Sequence, residues 1–316
     1  MAMRRTTLAG LAVAATIALG SSPAQAGWKE EVGTLRIGML ARPGAGAAVP
    51  GASAIERAFS KALGIPVDIF VARDFAALID AHANARVHYA VYSALAYALA
   101  WRRCNCVEPL AAPISRDGAT GIRAQLIVAP GVVERPTPPR IAYVPGSLAS
   151  DLLPRLASTG GADEAEIADE RRVAVKSAAE AERRFIAGKV DGLFGWAYER
   201  VGGATGGTVD RLVKAGLAAD GFDIAWTSAP IRYGPHAIRT DLPDELKQAL
   251  ARFLTSLKQQ QPDIYDLVEE ERQGGFLRVS QSDYRSVLGL MELVAPLPSP
   301  AAAPPAAKSS GHPAGL

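Results

Sequence analysis

Cysteine, histidine and aromatic residues are scarce in this chain of 316 residues. Two cysteines, Cys104 and Cys106, exclude a scaffold built on disulfides, and they are too few for the four ligands of a structural zinc site. Four histidines, one of them His312 near the C-terminus, leave little material for imidazole-based acid–base or metal chemistry. No Ser-His-Asp spacing, glycine-rich nucleotide loop or His-Glu metal motif occurs. The expectation is therefore a protein that is not an enzyme and holds no cofactor or metal. Excess charge is also missing: the formal balance is +2. Without Arg4 and Arg5 it falls to 32 basic against 32 acidic residues. A neutral chain argues against nucleic acid as a partner. There is no tandem repeat of solenoid length.

What is abundant is small and apolar. "MAMRR" is a short basic start, "TTLAGLAVAATIALG" an apolar run, and "SSPAQA" ends in Ala24-Gln25-Ala26. This is the three-part pattern of a secretory signal peptide over residues 1–26. The run is shorter than the roughly 20 residues of an ordinary membrane span. A soluble, exported, periplasmic product is expected. From Ala295 to Leu316, proline, alanine, serine and glycine predict a disordered tail.

Between these ends, strand-like and helix-like patterns alternate. "TLRIGML", "IPVDIFVA" and "VHYAVYS" read as strands. "GASAIERAFSKALG", "RDFAALIDAHANA" and "ALAYALAWRR" read as helices between and after them. A proline-rich break, "PGVVERPTPPR", precedes a second alternation from "RIAYVP" to "VDGLFGWA". "GGATGGTVDRL" reads as a glycine-rich surface loop. "LPDELKQALARFLTSLKQ" and "SDYRSVLGLMELV" read as late helices. Such alternation predicts an α/β protein with two lobes. Lobe one is expected at 27–130, lobe two at 131–224, and a return to lobe one at 225–294. Ligands of open sheets bind at the carboxyl ends of the strands, so two lobes face a common cleft.

Three strand-to-helix junctions carry polar residues at those ends: Tyr92-Ser93, Ser147 and Lys176-Ser177. A helix start offers free N–H groups and the positive end of the dipole, and a serine adds a hydroxyl. Taken singly, each serine is an ordinary N-cap. Arg42 after the first strand, Arg123 and Lys176 are candidate charge partners. Arginine suits oxyanions because its planar fork donates two parallel hydrogen bonds. Trp196 and Tyr198 are candidates for an apolar wall or for core.

The chain resembles the phosphate/phosphite/phosphonate-type substrate-binding proteins of ABC importers. The resemblance runs from about Leu35 to Val294. It rests on the order of "TLRIGML", "KALGIPVDIFVARDFAALIDAHANARVHYAVYSALAYALA", "VEPLAAPISRDG", "RAQLIVAPG", "RRFIAGKVDGLFGWAYERV" and "DIAWTSAPIRYGPHAIRTDLPDELKQALARFLTSL". It implies a type II, flytrap-like binding protein that closes on a small oxyanion-bearing solute and delivers it to a membrane permease. By position it implies ligand contacts from Tyr92, Ser93, Ser147, Ser150 and Ser177. The chain departs from the family pattern at Leu148, Ala149, Ala178 and Ile122, where polar side chains are expected. A monomer is expected. The alternative is a periplasmic sensing or accessory module for a membrane receptor or a redox system, with another organic-acid or metal-containing ligand.

Cys104 and Cys106 fall past the end of a helix, away from the strand ends. A local disulfide, two free thiols and a metal contact all remain open for them.

Overall fold

The computed structural model describes residues 27–42, 44, 48–159 and 171–293. The expected leader (1–26) and tail (295–316) lie outside the described residues.

The first half builds one lobe. After a short helix, α1 (Trp28–Val32), the order is β1 (Leu35–Leu40), α2 (Ala52–Leu63), β2 (Val67–Ala72), α3 (Phe75–Ala83), β3 (Tyr89–Val91), α4 (Ala94–Cys104) and β4 (Val107–Ser115). Two of these helix starts carry side-chain caps. Asp74 caps α3 by accepting from Ala77 N at 2.7 Å, and Ser93 caps α4 by accepting from Ala96 N at 3.1 Å. Gly64 ends α2 with φ +70°, a conformation that glycine adopts without a Cβ penalty. β1 pairs in parallel with β2 and β3.

The second lobe runs through β5 (Gly121–Val128), β6 (Ile141–Tyr143), a π-helical turn (Leu148–Leu152) continuing into α5 (Leu153–Thr159), β7 (Arg172–Ala174), α6 (Ala178–Ile186), β8 (Gly192–Arg200), β9 (Gly203–Thr205), α7 (Thr208–Lys214), β10 (Asp223–Thr227) and β11 (Ile231–Arg232). The chain then returns with β12 (His236–Arg239), α8 (Asp244–Gln260), α9 (Pro262–Val268), β13 (Gln273–Arg278), a 3-10 turn (Gln281–Tyr284) and α10 (Arg285–Leu293).

Two sheets result. One has the order β13-β4-β12-β3-β1-β2, the other β10-β5-β8-β6-β7 with β11 beside β5 and β9 beside β8. Their membership differs from the boundaries expected at 130 and 225. β5 pairs with β8 along its full length, from Gly121↔Glu199 to Val128↔Gly192. β10 and β11 also pair with β5. The chain thus passes between sheets at residues 116–120 and 233–235, and the proline-rich break is a connection inside the second lobe. Glycine-rich 202–212 also differs from a surface loop: it holds β9 and the start of α7. Thr208 is buried, and its hydroxyl accepts from Trp196 N at 3.1 Å.

Alternation along β3 divides the first lobe's core. Tyr89 packs on one face with Ile55 and Phe59 of α2 and Leu250, Leu254 and Leu257 of α8. Ala90 packs on the other with Leu78 of α3, Tyr97 and Ala100 of α4 and Leu290 of α10. That second cluster also takes in Ala124, Ala149, Leu153 and Ile231 of the second lobe. α10 itself packs on both α4 and α5.

Cys104 and Cys106 are bridged to each other at the far end of α4 from Ser93, with Asn105 between them at φ 49°. The Arg239 guanidinium lies 3.5 Å from the Cys106 sulfur. Thiol titration of denatured, unreduced protein is expected to find no free thiol. Replacing both cysteines by serine is expected to leave solute affinity within a few-fold, because the bridge stands a whole helix away from the cleft. A loss of binding as large as that from Arg42→Gln would show that the bridge is part of the site.

Candidate functional site

A cavity of about 850 Å³ lies where the two sheets face each other. Lobe one contributes Met39 and Leu40 at the end of β1, Arg42 just beyond it, Phe75 at the start of α3, and the β3–α4 junction Val91-Tyr92-Ser93-Ala94. Lobe two contributes Ile122 of β5, Leu148 of the π turn and Ile231-Arg232 of β11. Tyr233 and Gly234 line it from the return connection, and Val268 to Arg272 from the segment between α9 and β13.

The β3–α4 junction is fixed from behind. Gly234 sits so close that a Cβ there would meet the Tyr92 carbonyl oxygen at 1.8 Å. Tyr92 N donates to Pro235 O at 3.0 Å. The Tyr92 side chain is buried, and its hydroxyl lies 3.0 Å from His82 Nδ1. His82 Nε2 lies 3.2 Å from the His88 carbonyl, which can only accept. The proton of neutral His82 therefore sits on Nε2, and Nδ1 accepts from Tyr92. Burial holds the His82 pKa down at about 4 and pushes the Tyr92 hydroxyl well above its ordinary value. The Tyr92 hydroxyl is thus held in the core by His82. Ser93, in contrast, is exposed at the N-terminus of α4.

Three guanidiniums supply the cationic groups of the cavity. Arg42 pairs with Glu270 at 2.9 Å and donates to Leu267 O at 3.1 Å. Arg232 lies 3.5 Å from Asp283. Arg272 stacks 4.4 Å over the Tyr233 ring and meets Glu271 at 3.1 Å and Glu269 at 3.6 Å. Glu269, buried, accepts from the backbone N–H groups of Glu271 and Arg272 at 3.1 and 3.0 Å, which fixes the bend of this segment. Each guanidinium keeps between a quarter and a third of its side chain exposed. A solute oxyanion thus meets cations that carboxylates hold in place, together with one helix start.

Among the residues singled out in the sequence, Arg42, Tyr92 and Ser93 come together on this cavity. The others are placed elsewhere. Arg123 forms a two-pronged pair with Glu199 and donates to Ser228 O at 2.9 Å, tying β5 to β8 and to the chain after β10. Ser147 caps the π turn, accepting from Ser150 N at 3.4 Å. Ser150 is buried, accepting from Val144 N at 3.0 Å and donating to Phe194 O at 3.1 Å. Ser177 caps α6, and both it and Lys176 are exposed outside the cavity lining. Trp196 lies between the Tyr198 ring, 4.8 Å away, and the Arg211 guanidinium, 5.0 Å away. Arg232, Tyr233 and Arg272 were not singled out. Nothing local distinguishes them, because only the return of the chain after β11 and after α9 brings them to the cleft. Among the described residues, no group of three or more His, Cys, Asp or Glu side chains is placed to hold a metal.

The sequence model of the family described as ABC transporter, phosphonate, periplasmic substrate-binding protein matches residues 37–132 and 197–284. The chain belongs to this family. No curated protein matches the chain in sequence. Among solved structures, XAC2383 from Xanthomonas citri bound to ATP shares 15% identity over 83% of this chain and 98% of that one, with a TM-score of 0.50. Transferrin 1 from Manduca sexta shares 13% identity over 82% of this chain and 46% of that one, with a TM-score of 0.52. A binding protein component of an ABC phosphonate transporter from Pseudomonas aeruginosa shares 19% identity over 82% of this chain and 86% of that one, with a TM-score of 0.41. The fold is the two-lobed, type II architecture of periplasmic binding proteins, as the family resemblance in the sequence implied. Among the described residues, no helix is long and apolar enough to cross a membrane.

Proposed function

We propose that the protein is the non-catalytic solute-binding component of an ABC importer. It works as a monomer outside the cytoplasmic membrane, closes its lobes on a small oxyanion-bearing solute, and presents that solute to a permease. One observation carries this reading: Arg42, Arg232 and Arg272 converge with the Ser93-capped start of α4 on a single cavity walled by both sheets. A solute shifts an open–closed equilibrium only through better contacts in the closed form. A solute held by Arg42 and Ser93 on one side and Arg232 on the other supplies that difference. Micromolar affinity corresponds to about −8 kcal/mol. Three or four charge-assisted hydrogen bonds at roughly 1.5–3 kcal/mol each account for most of it.

Calorimetry against phosphate, phosphite, methylphosphonate, sulfate and small carboxylates tests the reading, with X-ray scattering to follow compaction. Arg42→Gln is expected to weaken the bound solute at least tenfold. Lys176→Gln is expected to leave its affinity unchanged. The opposite pattern would place the site at the strand ends of lobe two instead.

A further inference from the structure

We propose that the solute is an amphipathic organic anion, a single oxyanion head on an apolar body of at least phenyl size. This rests on the solute-binding reading above and narrows it.

The first observation is room. A water occupies about 30 Å³ of liquid, so 850 Å³ holds on the order of two dozen waters. In this open arrangement a bare phosphate or methylphosphonate would fill a small part of that space. Cavities of roughly 300–1,000 Å³ suit organic molecules of many heavy atoms.

The second observation is the wall. Met39, Leu40 and Phe75 line the cavity from lobe one, and Ile122, Leu148 and Ile231 from lobe two. Ile231 belongs to the buried cluster shared by both lobes, and Leu40, Phe75, Ile122 and Leu148 pack against it. The apolar surface of the cavity is therefore the open edge of the core, with contributions from both lobes. Closing on a bare oxyanion would press these side chains against water or against a charge. Closing on an apolar body would bury them.

The third observation is the polar inventory. The lining holds three guanidiniums, of Arg42, Arg232 and Arg272, and three carboxylates, of Glu269, Glu270 and Glu271. Their formal charges cancel, so every charge on a solute head must be met by a guanidinium already paired with a carboxylate, and a single charge asks least of them. Hydroxyl donors are few: Tyr92 gives its hydroxyl to His82, which leaves those of Ser93 and Tyr233. At Leu148 and Ile122 an apolar side chain stands at the cavity wall. A singly charged head that meets one or two guanidiniums at the rim fits this inventory, with its body directed to the apolar floor.

A homologous series tests it. The probes are methyl-, butyl-, hexyl- and phenylphosphonate together with acetate, hexanoate and benzoate, titrated calorimetrically into the full chain. Affinity is expected to rise about threefold to fourfold per added methylene, which is the ~0.8 kcal/mol of one buried methylene. Leu148→Thr is expected to flatten that rise, whereas Arg42→Gln lowers the whole series without changing its slope. The slope in the unmodified protein is decisive by itself, so a poorly folding variant does not obscure the outcome. If methylphosphonate binds as tightly as hexylphosphonate, the amphipathic solute is ruled out while the solute-binding reading stands. If neither short nor long anions bind, both fall.

Discussion

Acidification from about pH 7 to about pH 4 is expected to remove several kcal/mol from the free energy of unfolding. The cause is a set of histidines that the fold keeps neutral. His82 and His236 are fully buried. His236 shares a hydrogen bond with the Tyr89 hydroxyl and stacks edge-on against Phe276 at 4.6 Å, and its Nε2 has no hydrogen-bond partner among the described residues. Burial lowers the His82 pKa to about 4 and the His236 pKa to about 3, from an ordinary 6.5. A base whose pKa is depressed in the folded state binds protons better when unfolded. Stability is therefore complete above pH 6.5. It is lost as pH falls from 6.5 towards 4 for His82 and towards 3 for His236. At ~1.4 kcal/mol per pKa unit the full losses are about 3 and about 5 kcal/mol. His88, lowered to about 4 by burial and by the nearby Arg36 charge, acts in the same direction. Urea denaturation at a series of pH values checks this. His236→Gln is expected to flatten the dependence at the acid end, and His82→Gln between about pH 6 and 4. A midpoint that stays level down to pH 4 would mean that these imidazoles are not buried as described.

Gly234→Ala is expected to cost about 3 kcal/mol of stability, the upper range for overpacking, and to weaken solute binding more than tenfold. The added methyl would meet backbone, 1.8 Å from the Tyr92 oxygen and 2.6 Å from Ser93 Cα, so no side chain can swing aside. Relief requires β12 to part from the β3–α4 junction. That moves Ser93 and breaks the Tyr92 N to Pro235 O bond. Gly131→Ala is the control: φ is +67° there, with open space around the position, so only backbone strain of about 1 kcal/mol is expected. Equal effects of the two changes on affinity would mean that the junction does not position the solute.

Much of the fold was legible because its signals are local. α3, α4 and α8 show helical spacing, and Asp74, Ser93 and Pro243 mark their starts. The segments missed were those whose signals are masked or distant. β13 opens with Gln273-Gly274-Gly275, residues that read as a turn. They enter the strand because Gln273 and Phe276 pair with β4 on either side of an irregularity that holds the two glycines, and a Cβ on Gly274 would strike the Ser115 carbonyl at 2.2 Å. The helix α9 was hidden behind Pro262, which sits in its first turn, where a missing N–H costs nothing. Which lobe owns β5 was illegible because its partner β8 follows some 70 residues later in the chain. The site divides along the same line. Arg42 and Ser93 follow directly from strand ends and could be named. Arg232 and Arg272 reach the cleft only through the return of the chain, whereas Ser147, Lys176 and Ser177 at the ends of β6 and β7 do not line the cavity, and the two serines cap helix starts.

The helix α10 lies across the boundary between the lobes, with Val287, Leu290 and Met291 buried and Leu156 of α5 packed near Gly289. Any rotation that parts the lobes there must let water onto side chains that shed it. Opening is to that extent a wetting event at a hydrocarbon seam. Such seams loosen on cooling, because the hydrophobic contribution weakens as temperature falls. The trap is therefore expected to open more readily in the cold.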